Sequence, residues 1–171
     1  MVYEVKFRED LLPFKEWFVA VLLNHCVESV WDFRKVRPRI DTHLWTADRK
    51  EIDLVITCRG KKICIELKEA DFEKAVHQAI GYIESRVCNL AYIAINYHVY
   101  NILDLVRTKP DLMRKVFEYG IGIVATLDGV VVFRAFEKKT ASRKYANLLE
   151  LVENIDSHYS CQNTVDDSDN T

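Results

Sequence analysis

Glu51-Ile-Asp-Leu-Val-Ile-Thr-Cys-Arg-Gly-Lys-Lys-Ile-Cys-Ile-Glu-Leu-Lys68 is the stretch on which the reading of this chain turns. Two runs of β-formers, residues 52–58 and 63–67, flank the turn signal Arg59-Gly60-Lys61-Lys62 and predict an antiparallel hairpin. Glycine at the first central position of a two-residue loop suits a type II′ turn, so the expected loop is Gly60-Lys61 and Asp53 is expected to face Lys68. Side chains alternate across a strand, which puts Asp53, Glu66 and Lys68 on one face. The opposite face is wholly apolar, with Leu54, Ile56, Ile63, Ile65 and Leu67, while Val55 and Cys64 share the charged one. A hairpin of this kind is expected to be central and covered on both sides. Two carboxylates and an ammonium there are costly unless each other or a cation compensates them. Neighbouring carboxylates suit a hard divalent cation, and a lysine beside them orients or activates a water.

The helix signal that follows strengthens this reading. Phe72, Val76, Ala79, Ile80, Ile83 and Val87 recur at helical spacing and predict a helix over residues 71–87. Gln78 and Tyr82, four apart, are neighbours on its shoulder.

Asp53, twelve intervening residues and then Glu66-Leu67-Lys68 resemble the motif of the PD-(D/E)xK nuclease superfamily, the restriction-endonuclease-like fold that includes Holliday-junction resolvases and RecB-type nucleases. Gln78-Ala-Ile-Gly-Tyr82 resembles the QxxxY motif that follows ExK in RecB-type members. Ile52 stands where the proline that names the superfamily would be. The resemblance covers about residues 10–136. It implies an α/β fold with an αβββαβ core, a central mixed sheet flanked by helices, to which this chain adds a C-terminal hairpin and helix.

What the resemblance implies for chemistry is a hydrolase, a Mg²⁺- or Mn²⁺-dependent nuclease acting on DNA. Asp53, Glu66 and the backbone carbonyl of Leu67 would hold the cation. Lys68 would position a water or stabilise charge developing on phosphorus, and Gln78 and Tyr82 would order Lys68 or the nearby phosphate. The first helix of the superfamily often carries a metal-site glutamate. Glu16 is the candidate here and Glu28 the second choice, against the alternative that Glu16 is a solvated first-turn residue favourable to the helix dipole. Junction resolvases cut two strands as dimers, so a homodimer is implied by the same likeness. Two other readings of the fold stand beside the enzyme: a nucleic-acid-binding protein that does not cleave, and a structural or protein-interaction domain. Retention of all three charged motif residues favours the enzyme, by analogy of fold.

At 171 residues and 49% hydrophobic, the chain has material for one well-filled core. One domain is expected over residues 1–155, with an acidic, disordered tail over 156–171. The first residues hold no apolar signal-peptide core and no apolar run reaches membrane-spanning length, so a soluble, cytoplasmic protein with no membrane partner is expected. The five cysteines are odd in number and lack CxxC spacing, and are expected to be free thiols or small buried hydrophobes. The histidines form no ligand pair, so a histidine metal site is not expected.

The net charge of −2 does not advertise a nucleic-acid binder, but its distribution is uneven. Five of the 26 acidic residues lie from Glu153 onward, where no lysine or arginine occurs, leaving 24 basic against 21 acidic groups in the preceding body, a formal +3. Arg34, Lys35, Arg37 and Arg39, together with Lys61 and Lys62, are the candidate nucleic-acid contacts, each cluster also readable as a solvated loop.

Along the chain, a helix is expected over residues 12–27 with Pro13 in its first turn, and a strand over 29–36. Residues 40–50 read as a polar connection containing His43, Trp45 and Asp48, open to two roles, covering the site or contacting substrate. A buried strand over 90–97 should run parallel to the second hairpin strand through a βαβ crossover. Helices follow over 99–119, interrupted by Pro110, then a hairpin around Leu127-Asp128-Gly129 and a helix over 141–155.

Overall fold

The computed structural model describes residues 15–26, 39–46, 49 and 51–163, the side chains of 15, 16 and 159–163 excepted. Its centre is the expected hairpin, β2 (Glu51–Cys58) and β3 (Lys61–Lys68), paired antiparallel with Val55 opposite Cys64 and Cys58 opposite Lys61. The loop is Arg59-Gly60 rather than Gly60-Lys61. Both residues have positive φ, 47° and 72°, the signature of a type I′ turn, whose twist matches that of the flanking strands. The register therefore slides by two residues and Asp53 comes level with Glu66 instead of Lys68. A slip of two preserves the face of every side chain.

Around the hairpin the strands among the described residues form one six-stranded mixed sheet in sequence order. β1 (Arg39–Trp45) pairs antiparallel on the outer side of β2, with Leu44 opposite Ile52 and Trp45 opposite Glu51. This corrects the reading of residues 40–50 as a connection. An edge strand is held by backbone pairing while most of its side chains stay solvated, so its hydropathy resembles a loop. The strand expected over 29–36 lies outside the described residues. β4 (Leu90–Ile95), buried at all six positions, runs parallel to β3 as expected; β5 (Gly122–Ala125) is parallel to β4, and β6 (Val130–Phe133) closes the second hairpin.

Helices cover both faces. α1 (Lys15–His25) lays Trp17, Phe18, Val21 and Leu22 against the face bearing Leu54, Ile56, Ile63 and Ile65. Its C-terminal end is tied down by a Cys26–Cys58 disulfide to β2 and by a 2.5 Å hydrogen bond between His25 Nε2 and Tyr92 Oη. The disulfide corrects the expectation of unpaired cysteines: its partners are 32 residues apart and meet only because α1 packs across the sheet. Burial, with smaller contributions from Arg134 and Lys61, lowers the His25 pKa to about 4.

The other face, with Val55, Cys64, Ala91, Ile93 and Ile123, is covered by α2 (Phe72–Glu84), α3 (Val99–Thr108) and α4 (Pro110–Tyr119), and by the C-terminal α5 (Lys138–Lys144) and α6 (Ala146–Asn163). Pro110 opens α4 at its first turn, where its missing N–H costs nothing. The last helix is broken at Tyr145, whose ring packs against Phe117, Phe133 and Phe136, and it runs to Asn163 through residues expected to be tail. Among the described residues no helix is long and apolar enough to cross a membrane.

Gly122 marks a close approach in the sheet, since a Cβ there would sit 2.2 Å from Tyr92 Cε1 and 2.9 Å from the Ala135 backbone nitrogen. Tyr92 is fully buried and has nowhere to retreat. Gly122→Ala is expected to lower stability by about 1–3 kcal/mol, the usual cost of overpacking; urea denaturation measures it, and an unchanged midpoint would contradict this packing.

Candidate active site

The β2–β3 ladder ends at the Leu54–Ile65 pair, and beyond it the strands part. There the Leu67 N–H donates to Asp53 Oδ2 at 2.8 Å, so a side-chain carboxylate takes a backbone donor near the end of the sheet. Glu51, Asp53, Glu66 and Lys68 share the face of the sheet that α2 covers. Asp71, in the left-handed region at φ 62°, caps α2 by accepting from the Lys74 N–H, and the buried stripe of Phe72, Ala75, Val76 and Ala79 seats the helix. Gln78, Gly81 and Tyr82 then look onto the carboxylates.

Glu66 is only 4% exposed. Its Oε2 accepts from Tyr82 Oη at 3.1 Å, and its Oε1 lies 3.3 Å from Lys68 Nζ. Tyr82 Oη is also 3.1 Å from the Glu51 carbonyl, so one phenol proton serves two acceptors. Burial, and next the Asp53 charge, push the Glu66 pKa up, while Lys68 and the Tyr82 hydrogen bond oppose them. Burial and the Glu66 charge in turn raise the Tyr82 pKa and keep its phenol protonated. Glu51 Oε1 is hydrogen-bonded with His43 Nδ1 on the neighbouring strand. Gln78 Oε1 is buried without a hydrogen-bond donor among the described residues.

Glu51, Glu66, Gln78 and Tyr82 border a cleft of about 770 Å³. Among the described residues five carboxylates line it, those of Glu51, Asp53, Glu66, Asp71 and Glu73, against one lysine, Lys74. Trp45, 63% exposed, stands at its rim.

Among the described residues no set of three or more His, Cys, Asp or Glu side chains is grouped to hold a metal ion. Mg²⁺ seldom needs such a cage, because it keeps several waters and takes one or two carboxylates. Asp53 and Glu66 are such a pair. They raise each other's energy, as the Glu66 pKa records, and Leu67 N–H and Tyr82 fix one oxygen of each. This donor chemistry fits a hard, largely hydrated dication.

The sequence candidates thus divide. Asp53, Glu66, Lys68, Gln78 and Tyr82 come together; Tyr82 bonds Glu66 rather than Lys68. Glu16 belongs to α1, which packs on the other face of the sheet, and its side chain is not among those described. Arg34, Lys35 and Arg37 lie outside the described residues. Arg39, Lys61 and Lys62 gather at the turn end of the hairpin, where Arg39 is level with Thr57 and Thr57 with Lys62. Four residues of strand, roughly 13 Å, separate Lys62 from Glu66. Arg39 is paired with Asp41 and Lys61 with Glu137, each at 3.0 Å. Sequence reasoning missed Glu51, which lines the cleft and was within reach, two residues before Asp53 and hence on its face. The segment holding Trp45 was read as a connection over the site or against substrate; Trp45 does line the cleft, but as the last residue of a strand. Compared with protein-family models, curated proteins and solved structures, the chain matches none.

A raised carboxyl pKa in the folded state means that the stability Glu66 contributes is fully present below its unfolded value, about 4.3, and is lost as pH rises through the folded one. In metal-free buffer, Glu66→Gln is therefore expected to gain thermal stability relative to wild type as pH goes from about 4 to about 7. A stability difference that stays constant over this range would contradict the buried, Asp53-coupled carboxylate.

Proposed function

We propose that the protein is a metal-dependent nuclease of the PD-(D/E)xK type, hydrolysing DNA phosphodiester bonds with Mg²⁺ or Mn²⁺. The observation that carries this reading is the convergence of Asp53, Glu66 and Lys68 on one face where the strands part, with Glu66 held by Tyr82 from the helix that follows. The element order α1, β1, β2, β3, α2, β4 among the described residues is in keeping with the αβββαβ core of that superfamily.

Asp53, Glu66 and the Leu67 carbonyl would hold the cation, which when bound polarises a phosphate and lowers the pKa of a coordinated water. The chain's own residues do the rest. Lys68, beside Glu66, orients the attacking water and offsets negative charge as the water oxygen adds to phosphorus and the bond to the departing oxygen breaks. Tyr82 keeps Glu66 aimed by a bond to one oxygen, leaving the other side of the carboxylate toward Lys68. Leu67 N–H does the same for Asp53. Gln78 lines the cleft beside these carboxylates, and its buried Oε1 has no hydrogen-bond donor among the described residues. An acidic cleft repels phosphate, so substrate affinity should depend on the cation as strongly as turnover does.

Purified protein should nick or degrade DNA only with Mg²⁺ or Mn²⁺, in an assay spanning linear, circular, single-stranded and branched substrates. Glu66→Ala and Lys68→Ala should each cut at least roughly a hundredfold more slowly with the fold intact; wild-type rates in both would dispose of the assignment. DNA binding without any metal-stimulated cutting would favour a non-cleaving binder, and neither binding nor cutting a protein-interaction domain. Removing only the Tyr82 hydroxyl, in Tyr82→Phe, should slow cleavage while leaving the helix packing in place, because the ring stays buried. Unchanged kcat and KM in that variant would deny it a positioning role.

A further inference from the structure

We propose that Trp45 is a stacking platform for one unpaired nucleobase, so that the cleft takes single-stranded nucleic acid beside the scissile phosphate; this rests on the cleft being a phosphodiesterase site. Trp45 is the last residue of β1 and pairs with Glu51. It is 63% exposed, yet it borders the same cavity as Asp53 and Glu66. One strand spacing and two residues along, roughly 8 Å, separate its backbone from that of Asp53. An indole largely open to water at the rim of a polar cleft presents a large π-face.

The charge around it says what kind of contact that face must make. Among the described residues the cleft is lined by five carboxylates and a single lysine, and Arg39, Lys61 and Lys62 are at the far end of the hairpin. A duplex held mainly by its phosphates finds little basic surface among these described lining residues. Stacking supplies affinity without charge and tolerates any base. A base offers its full face to a side chain only once it is out of the double helix. A single strand, or the frayed end of a duplex, meets that condition.

The test uses the full chain carrying Lys68→Ala, to suppress cleavage while keeping both carboxylates, with Mn²⁺ present. Binding of a fluorescently labelled oligothymidylate and of a blunt hairpin duplex is followed by anisotropy, and self-association by sedimentation. Adding Trp45→Leu, which keeps an apolar side chain without the π-face, should weaken oligothymidylate binding by roughly tenfold and leave duplex binding unchanged; Trp45→Phe should retain most of the affinity. Unchanged oligothymidylate affinity in Trp45→Leu, equal loss on the duplex, or no oligothymidylate binding by the parent overturns the proposal. So does a parent dimer that Trp45→Leu dissociates with no change in oligonucleotide affinity, since the ring then belongs to an interface between copies. Failure of the nuclease reading looks different: wild type would not cut with Mn²⁺, while Trp45-dependent binding of oligothymidylate persisted and still supported the stacking.

Discussion

A carboxylate buried in the middle of the sheet is the constraint on which the rest of this structure depends. Glu66 has almost no contact with water, and an ion in that position costs several kcal/mol unless its neighbours compensate it. The compensation comes from two directions. Lys68 follows two residues later on the same strand and face, and Tyr82 reaches across from α2. For the phenol to arrive, α2 must lie over this end of the sheet, started by the Asp71 cap and held by the apolar stripe from Phe72 to Ala79. The parting of β2 from β3 belongs to the same arrangement, because Asp53 can take the Leu67 N–H only where the regular ladder has stopped.

Compensation is incomplete, and its incompleteness is chemically informative. Burial, and next Asp53, still raise the Glu66 pKa against the pull of Lys68 and Tyr82. Glu51 is hydrogen-bonded with His43, and among the described residues the remaining acidic groups of the cleft face one lysine. A site with this excess of negative charge gains from a dication and is inhospitable to phosphate without one.

Much of this was legible before any tertiary structure. The α2 stripe has a period of 3.6, so both the helix and the shoulder position of Gln78 and Tyr82 could be read directly. The shared face of Asp53, Glu66 and Lys68 was readable even though the expected turn was wrong, because a slip of two residues leaves the parity of a strand unchanged. The turn itself was harder. Gly60 suits a positive φ at either central position, and the correct loop asks the same of Arg59, a residue for which that conformation is uncommon.

The amino-acid sequence alone determined what depends on neighbours a few residues apart: the hairpin, the helix after it, the buried parallel strand, and the side of the sheet on which the charged residues stand. Tertiary structure alone decided what depends on segments meeting. Residues 39–45 became a strand because β2 had an open edge to pair with, and Trp45 reached the cleft by that pairing. Cys26 found Cys58 because α1 crossed the opposite face. The basic Arg39, Lys61 and Lys62, close in sequence to the acidic motif, were carried to the other end of the hairpin by the length of its strands. Periodicity is a local property that packing seldom overrides, whereas the proximity of distant segments is set by how whole layers dock.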